Sequence, residues 1–377
     1  MRPTVAVAPD NRATHRERMR PETLRADRFR IMARPHYASR LEDRWNTALQ
    51  AVLRRRGWRD RVIPHVGYGT QDFVRVLARV VLSRDPRDLP RYEEDQPVRG
   101  WRQFVAAPSV GVPVTVTVGE QTQGTTTDRG GFVDVTVPAS LPPGWHEVEL
   151  GVADDRSARA RVHVVDPHAN FGIVSDIDDT VMLTMLPRPM IAAWNTFVRD
   201  EQARRVVPGM AEMYRALLDE HPGAPIFYLS TGAWNTAPTL ARFLARHGYP
   251  EGPLLLTDWG PTNTGWFRSG REHKQAALVR LAAELPSVRW VLVGDDGQHD
   301  PEIYGDFAST HPSHVRAVAI RQLTATEQVL SHGLPVPAPD PRANDPHRPT
   351  AATVHAPDGH GLLPLLTSVL AAEPPVS

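Results

Sequence analysis

The stretch FGIVSDIDDT, residues 171–180, decides how this chain is read: a short uncharged run flows directly into three carboxylates and a threonine. A run of that kind fits a strand buried on both faces. Four more follow, PIFYLS (225–230), LLLTD (254–258), RWVLVG (289–294) and VRAVAIR (315–321), with helical stretches near 209–220, 236–247 and 271–285 between them. Strand–helix alternation predicts an α/β fold, a doubly wound parallel sheet with helices on both faces. Such sheets carry their chemistry at the carboxyl ends of the strands. At those ends stand Asp176, Asp178, Asp179 and Thr180, then Ser230-Thr231-Gly232, then Asp295, Asp296 and Asp300, while Lys274 opens the third helix. The order predicts that all of them meet in one crevice.

Working outward, 377 residues suggest two or three domains. The 43 basic and 43 acidic side chains balance, which excludes the overall basic excess of a nucleic-acid binder. Cysteine is absent, which excludes disulfides, thiolate zinc sites and cysteine nucleophiles. No apolar window is long enough for a transmembrane helix. The opening MRPTVAVAPDNRATHRERMRPE lacks the apolar core of a secretory signal, so a cytoplasmic protein is expected. Lys274 is the only lysine; the other 42 basic residues are arginine. That exception points to a position needing a compact ammonium rather than a planar guanidinium.

Composition divides the rest. Residues 1–36, with nine arginines against four acids in the first 34, read as a disordered basic arm. Residues 37–70 read as a helical segment: Ser39 to Glu42 form a capping box, Leu41, Trp45, Leu49 and Val52 share a face, and Gly57 ends it. Residues 71–166 hold alternating β-rich runs, 73–83, 112–119, 131–138, 145–152 and 158–165, separated by turn clusters. They predict a small antiparallel β-sandwich with no convergent catalytic set, hence a scaffold or a binding surface. Residues 167–330 form the parallel-sheet domain. Residues 331–377 read as a Pro-rich linker and C-terminal tail, in which GLLPLLTSVLAA (361–372) docks back as a helix.

Carboxylates packed together repel unless a cation sits among them. Magnesium suits such a site, since it takes oxygen ligands and a substrate phosphate. Asp176, the carbonyl of Asp178, and Asp295 with Asp296 or Asp300 could supply its shell. One carboxylate can then attack phosphorus, and a second can protonate the leaving oxygen and activate water. Ser230 and Lys274 could hold the phosphoryl oxygens.

These four elements resemble the motifs of the haloacid dehalogenase superfamily. The resemblance implies Asp176 as nucleophile, Asp178 as general acid/base, Ser230 and Lys274 as the second and third motifs, and Asp295, Asp296 and Asp300 as the acidic fourth. The runs YLSTGAWN (228–235), LLTDWG (255–260), GDDGQHDPEIY (294–304) and AIRQL (319–323), with HVGYGT (65–70), are more narrowly similar to the actin-patch phosphatidate phosphatase family. That implies a magnesium-dependent catalytic domain with a minimal cap, preceded by a smaller β-rich domain. It also implies dephosphorylation of a lipid phosphate.

Neither inter-motif gap, 45 residues from Thr180 to Ile226 or 42 from Thr231 to Lys274, has room for a large cap, so the site should be open. Trp234, Trp259, Trp266 and Phe267 are candidates for an aromatic rim at a membrane surface, with Arg268 toward the headgroup. Thr180, Thr231 and Gly232 complete the expected substrate contacts. A phosphatase for a soluble or protein-borne phosphate is the alternative, and so is a non-catalytic scaffold whose β-domain binds a partner.

Overall fold

The computed structural model describes residues 49–84, 107–153, 158–183, 205–257, 266–297, 299–324, 327–328 and 351–372, without the side chains of 266–269. The arm expected at 1–36 lies outside them. A short helix, α1, covers 49–55. It stops at Gly57, whose φ of 86° is open to glycine at little cost. The Gly57 N–H bonds the Arg54 carbonyl and the Trp58 N–H bonds the Leu53 carbonyl, the paired bonds of a Schellman cap. Leu49 and Val52 are exposed, so the face they share is not buried within the described residues.

Residues 59–69, read as part of a helical segment, form strand β1 (Arg59–Gly69) instead. Pro64 has no N–H to give a helix, and Val62 and Ile63 are β-branched. The chain then makes β2 (Phe73–Ser83), β3 (Ala107–Pro108), β4 (Pro113–Val118), β5 (Gln121–Thr126), β6 (Phe132–Pro138), β7 (Gly144–Val152) and β8 (Ala158–Val164). Five of these coincide with the alternating runs. Hydrogen bonds join all eight into one sheet, ordered β3-β2-β1-β8-β7-β4-β5 with β6 also on β2, where the sequence suggested a sandwich of two. Every pair is antiparallel except β1 with β8. The sheet curls, and valines from distant strands, among them Val76, Val80, Val116, Val148 and Val162, fill its inside.

The second sheet comprises β9 (Phe171–Asp176), β12 (Ile226–Ala233), β13 (Leu254–Thr257), β14 (Arg289–Asp295), β15 (Val315–Arg321) and β16 (Ala352–Ala356), in the order β13-β12-β9-β14-β15-β16. All its pairs are parallel. Two-residue strands β10 (Met182–Leu183) and β11 (Arg205–Val206) pair apart from it. Helices α2 (Met210–Asp219), α3 (Ala237–Arg246) and α6 (Gly359–Ala372) share one apolar cluster with the sheet. Helices α4 (Trp266–Glu284) and α5 (Asp300–Thr310) share another. Along β9, Phe171 and Ile173 belong to the first cluster and Val174 to the second, as strand alternation requires.

Two differences from the sequence reading matter. The stretch taken as a linker supplies β16, whose Val354 and Ala356 are buried, and the helix expected at its end forms as α6. Helix α4 begins at Trp266, so Lys274 lies mid-helix rather than at its start, and Trp266, Phe267 and Arg268 belong to the first turn rather than to a loop.

The two sheets are not independent bodies. Tyr68, Leu77 and Val165 from the first lie in the same apolar cluster as Phe227, Leu278, Leu281 and Trp290 from the second. The Tyr68 ring meets Phe227 edge-on at 4.9 Å.

Candidate active site

Strand β9 delivers Asp176 at its last residue, fully buried at 1% exposure. The chain then turns sharply: the Val181 and Met182 N–H groups bond the Ile177 carbonyl, and the Asp179 N–H bonds the Met182 carbonyl. Asp179 takes a left-handed φ of 56°, a conformation Asp tolerates better than most residues. Asp178 and Thr180 are buried within this turn.

Neighbouring β14 delivers Asp295, and α5 opens with Asp300. A Cβ on Gly294 would stand 2.5 Å from an Asp300 carboxylate oxygen, so glycine there lets that side chain cross the strand end. One carboxylate oxygen each from Asp176, Asp295 and Asp300 lie within 4.8 Å of one another. From mid-α4, Lys274 reaches into the group. Its ammonium donates to Asp176 Oδ1 and Asp300 Oδ1, both at 2.6 Å, and the side chain is 2% exposed. Three carboxylates against one ammonium leave an excess of negative charge in a dry pocket.

The titration behaviour follows. Burial, then the Asp300 and Asp178 charges, push Asp176 well above the usual carboxylate range, with Lys274 acting against them. Burial and the charges of Asp300, Asp176 and Asp179 do the same to Asp295. Burial works against the Lys274 ammonium, but Asp176 and Asp300 outweigh it and hold its pKa above the ordinary lysine value.

Asp176 Oδ2, Asp295 Oδ2 and Asp300 Oδ2 are buried and have no hydrogen-bond partner among the described residues, and neither does Thr180 Oγ1. Oxygen donors left bare in a negative pocket fit a hard divalent cation such as Mg2+. Asp296 does not join them. It is half-buried, and its Oδ1 accepts from the Leu323 N–H at 2.8 Å, away from the cluster. Asp178 also stands apart, since its Oδ2 accepts from Ser230 Oγ at 2.9 Å. Ser230 in turn accepts from the Gly232 N–H, and Thr257 donates to the Thr231 carbonyl, which fixes the end of β12. Thr231 and Gly232 are half-buried beside it.

Trp234, read as part of a rim, instead packs against His65 and Phe132 of the curled sheet, with ring centroids at 4.9 and 5.5 Å. Trp259 and the side chains of Trp266, Phe267 and Arg268 lie outside the described residues, as do 184–204 and 258–265 of the two gaps judged too short for a cap.

Arg321 was missed as a site residue. At the end of β15 it donates to the Asp179 carbonyl at 2.7 Å, to the Pro357 carbonyl and to Glu327, locking the turn after Asp176 from behind. The run AIRQL held it in view, but a lone strand-end arginine carries no signal of its target. Ser175 and Tyr214 were missed too: Ser175 Oγ donates to the Asp176 carbonyl, with the Tyr214 hydroxyl 2.6 Å away.

Residues 171–322 match the family model for the phosphatidate phosphatase APP1 catalytic domain. This is the resemblance read from the motifs, and the matched span runs from β9 through β15, carrying Asp176, Asp178, Asp179, Asp295, Asp296 and Asp300. Among curated relatives, the phosphatidate phosphatase APP1 of Saccharomyces cerevisiae is 28% identical over 203 residues, 52% of this chain and 34% of that protein. An uncharacterized Schizosaccharomyces pombe protein is 24% identical over 165 residues, 44% of this chain and 27% of the relative. The chain thus spans about a third or less of the length of the curated relatives it matches. A solved structure of PhoD covers 70% of this chain and 71% of its own, with a TM-score of 0.30 and 10% identity, too remote to bear on the APP1 match.

Proposed function

We propose that this chain is a magnesium-dependent phosphomonoester hydrolase with a haloacid dehalogenase-like catalytic domain, acting through an aspartyl-phosphate on Asp176 and converting phosphatidate to diacylglycerol. One observation carries the reading: three buried carboxylates within 4.8 Å, from the ends of adjacent strands β9 and β14 and the start of α5, two of them bridged by a buried lysine. Ion pairs built for stability satisfy their oxygens, whereas here one oxygen of each carboxylate has no partner among the described residues. The APP1 match supports phosphatidate as substrate, and this is a lipid-surface substrate. Among the described residues no helix is long and apolar enough to cross a membrane.

Asp176, Asp295 and Asp300 are the side chains that would hold Mg2+. When bound, it would supply positive charge to the phosphoryl oxygens and to the carboxylates themselves. Asp176 Oδ2 has no competing hydrogen bond within the described residues, and the Asp176 carboxylate forms the bond to phosphorus as the ester P–O bond breaks. Lys274 holds the other oxygen of that carboxylate and keeps it oriented. Asp178, two residues on and held by Ser230, gives a proton to the leaving glycerol oxygen. It then takes a proton from the water that attacks phosphorus, which breaks the bond to Asp176, releases phosphate and restores the Asp176 carboxylate and the protonated Asp178.

The test is hydrolysis by the purified chain of an aryl phosphate and of phosphatidate in detergent micelles, with magnesium and with EDTA. Magnesium-dependent release from both, abolished in Asp176→Asn, is the expected result. No hydrolysis of either ester by the wild type would sink the reading. Aryl phosphate turnover without any on phosphatidate would replace the lipid with a soluble substrate.

A further inference from the structure

The curled sheet touches the two elements that bring Ser230 and Lys274 to the site. Glu284, the last residue of α4, accepts a 2.7 Å hydrogen bond from the Tyr68 hydroxyl of β1 and is forked by Arg75 of β2. Arg75 also binds Asp134 of β6, and Asp134 receives Arg280, one turn before Glu284 on α4. The charges form a chain, Glu284 to Arg75 to Asp134 to Arg280, that starts and ends on the helix and passes through two members on the sheet. Tyr68 is 0% exposed, so its hydroxyl has no water to fall back on. At the other contact, Trp234, four residues beyond Ser230, is held by His65 and Phe132.

We propose that Glu284 is a positioning residue: through it the curled sheet sets where α4 lies along its axis and therefore where Lys274 stands. This rests on the phosphatase reading, in which Lys274 orients Asp176. An α-helix advances 1.5 Å per residue, so Glu284 lies about 15 Å from Lys274 along one rigid rod. The Lys274 ammonium must meet Asp176 on β9 and Asp300 on α5 at 2.6 Å simultaneously. A shift of α4 by an ångström would break one of those bonds, and misplacement on that scale can cost on the order of 10²-fold in rate. Arg75 and Glu284 are 16% and 19% exposed, so solvent weakens their pairing little. Arg161 of β8 also pairs with Glu251, in the segment between α3 and β13, but at 48% and 42% exposure and away from α4. That pair provides an internal control.

The experiment compares full-length Glu284→Ala, Glu284→Gln and Glu251→Ala on a soluble aryl phosphate, with circular dichroism as the check on folding. Glu284→Ala should lower kcat roughly tenfold or more while KM stays within about twofold. Glu284→Gln, whose amide oxygen can still accept from Tyr68, should recover part of that loss, and Glu251→Ala should keep wild-type kcat. A bridge that only stabilises the fold would lower the melting temperature and leave kcat of the folded enzyme alone, and that result overturns the proposal. If Glu284→Ala does not fold, Arg75→Lys keeps the charge without the fork and is measured in the same way, with the same outcomes deciding. A wild type inactive on every ester fails the phosphatase reading and this inference with it. An active wild type with an unmoved Glu284→Ala fails this inference alone.

Discussion

The two sheets bury similar strands for different ends. In the curled sheet, strands such as β4 alternate buried valine with exposed threonine, and the buried face meets only other apolar side chains. In the parallel sheet β9 is buried at all six positions, and its last residue is a carboxylate. The difference is one of backbone direction. Parallel strands end together on one edge, so Asp176, Ser230 and Asp295 gather there, with Lys274 and Asp300 arriving from helices on the same face. Antiparallel strands end alternately on opposite edges and spread any such residues apart. The curled sheet therefore contributes through contacts, at α4 and Trp234, rather than through chemistry.

Substitutions in the two sheets should separate along that line. Asp176→Asn should abolish turnover of an aryl phosphate, because an amide cannot attack phosphorus, while Asp178→Asn should cost on the order of 10²–10⁴-fold. Circular dichroism of both should match wild type; any hydrolysis by Asp176→Asn close to wild type would remove it as nucleophile. Lys274→Arg should lose activity nearly as fully as Lys274→Ala, since a pocket with 2% exposure built for an ammonium between two carboxylates has no room for a guanidinium. Lys274→Ala, melted in EDTA, should also be destabilised by about 3–5 kcal/mol, because Asp176 and Asp300 stay buried without their counter-charge. An active arginine variant would mean that charge alone suffices there.

In the valine core of the curled sheet, away from the bridges to α4, the effects should appear in stability and not in rate. Val116→Ala, at 0% exposure, should cost roughly 2 kcal/mol in urea unfolding and leave kcat unchanged. A fall in kcat would mean that the valine core, and not only the bridges to α4, shapes the site. A comparable effect, confined to acid conditions, is a pH dependence at His65. Burial, helped by Arg79, lowers its pKa to about 3 from an ordinary 6.5. The unfolded chain thus binds the extra proton between those values, so stability is complete above 6.5 and falls as the pH drops. The slope is at most about 1.4 kcal/mol per pH unit. His65→Gln should flatten the melting temperature between pH 6.5 and 4.5 relative to wild type, and an unaltered slope would place the acid sensitivity elsewhere.

Much of the parallel sheet was legible because its strands were short, largely apolar runs with polar residues standing at or just beyond their ends. Strand β16 was not: ATVHA sits behind a Pro-rich stretch and is too short to stand out, and becomes a strand only through pairing with β15. Helix α5 was hidden because its Asp-Pro-Glu opening reads equally well as a turn, though proline suits a first helical turn. Strand β5, QTQGTT, has no apolar face and exists because β4 supplies its hydrogen bonds.

By itself the sequence determined which residues carry charge and how they are ordered: Asp176, Asp178, Ser230, the single Lys274, Asp295 and Asp300, each at the end of an apolar run or on an intervening helix. Order along a chain cannot say which oxygens meet. Only the tertiary structure decided that Asp176, Asp295 and Asp300 share one pocket while Asp296 turns to cap Leu323, and that Trp234 faces His65 and Phe132. Adjacent residues at a strand end point to opposite sides, and which side is the site depends on the packing of the neighbouring strands and helices. The same holds for Glu284, whose partners Tyr68 and Arg75 lie more than 200 residues away in sequence and reach it only because the two sheets share a core.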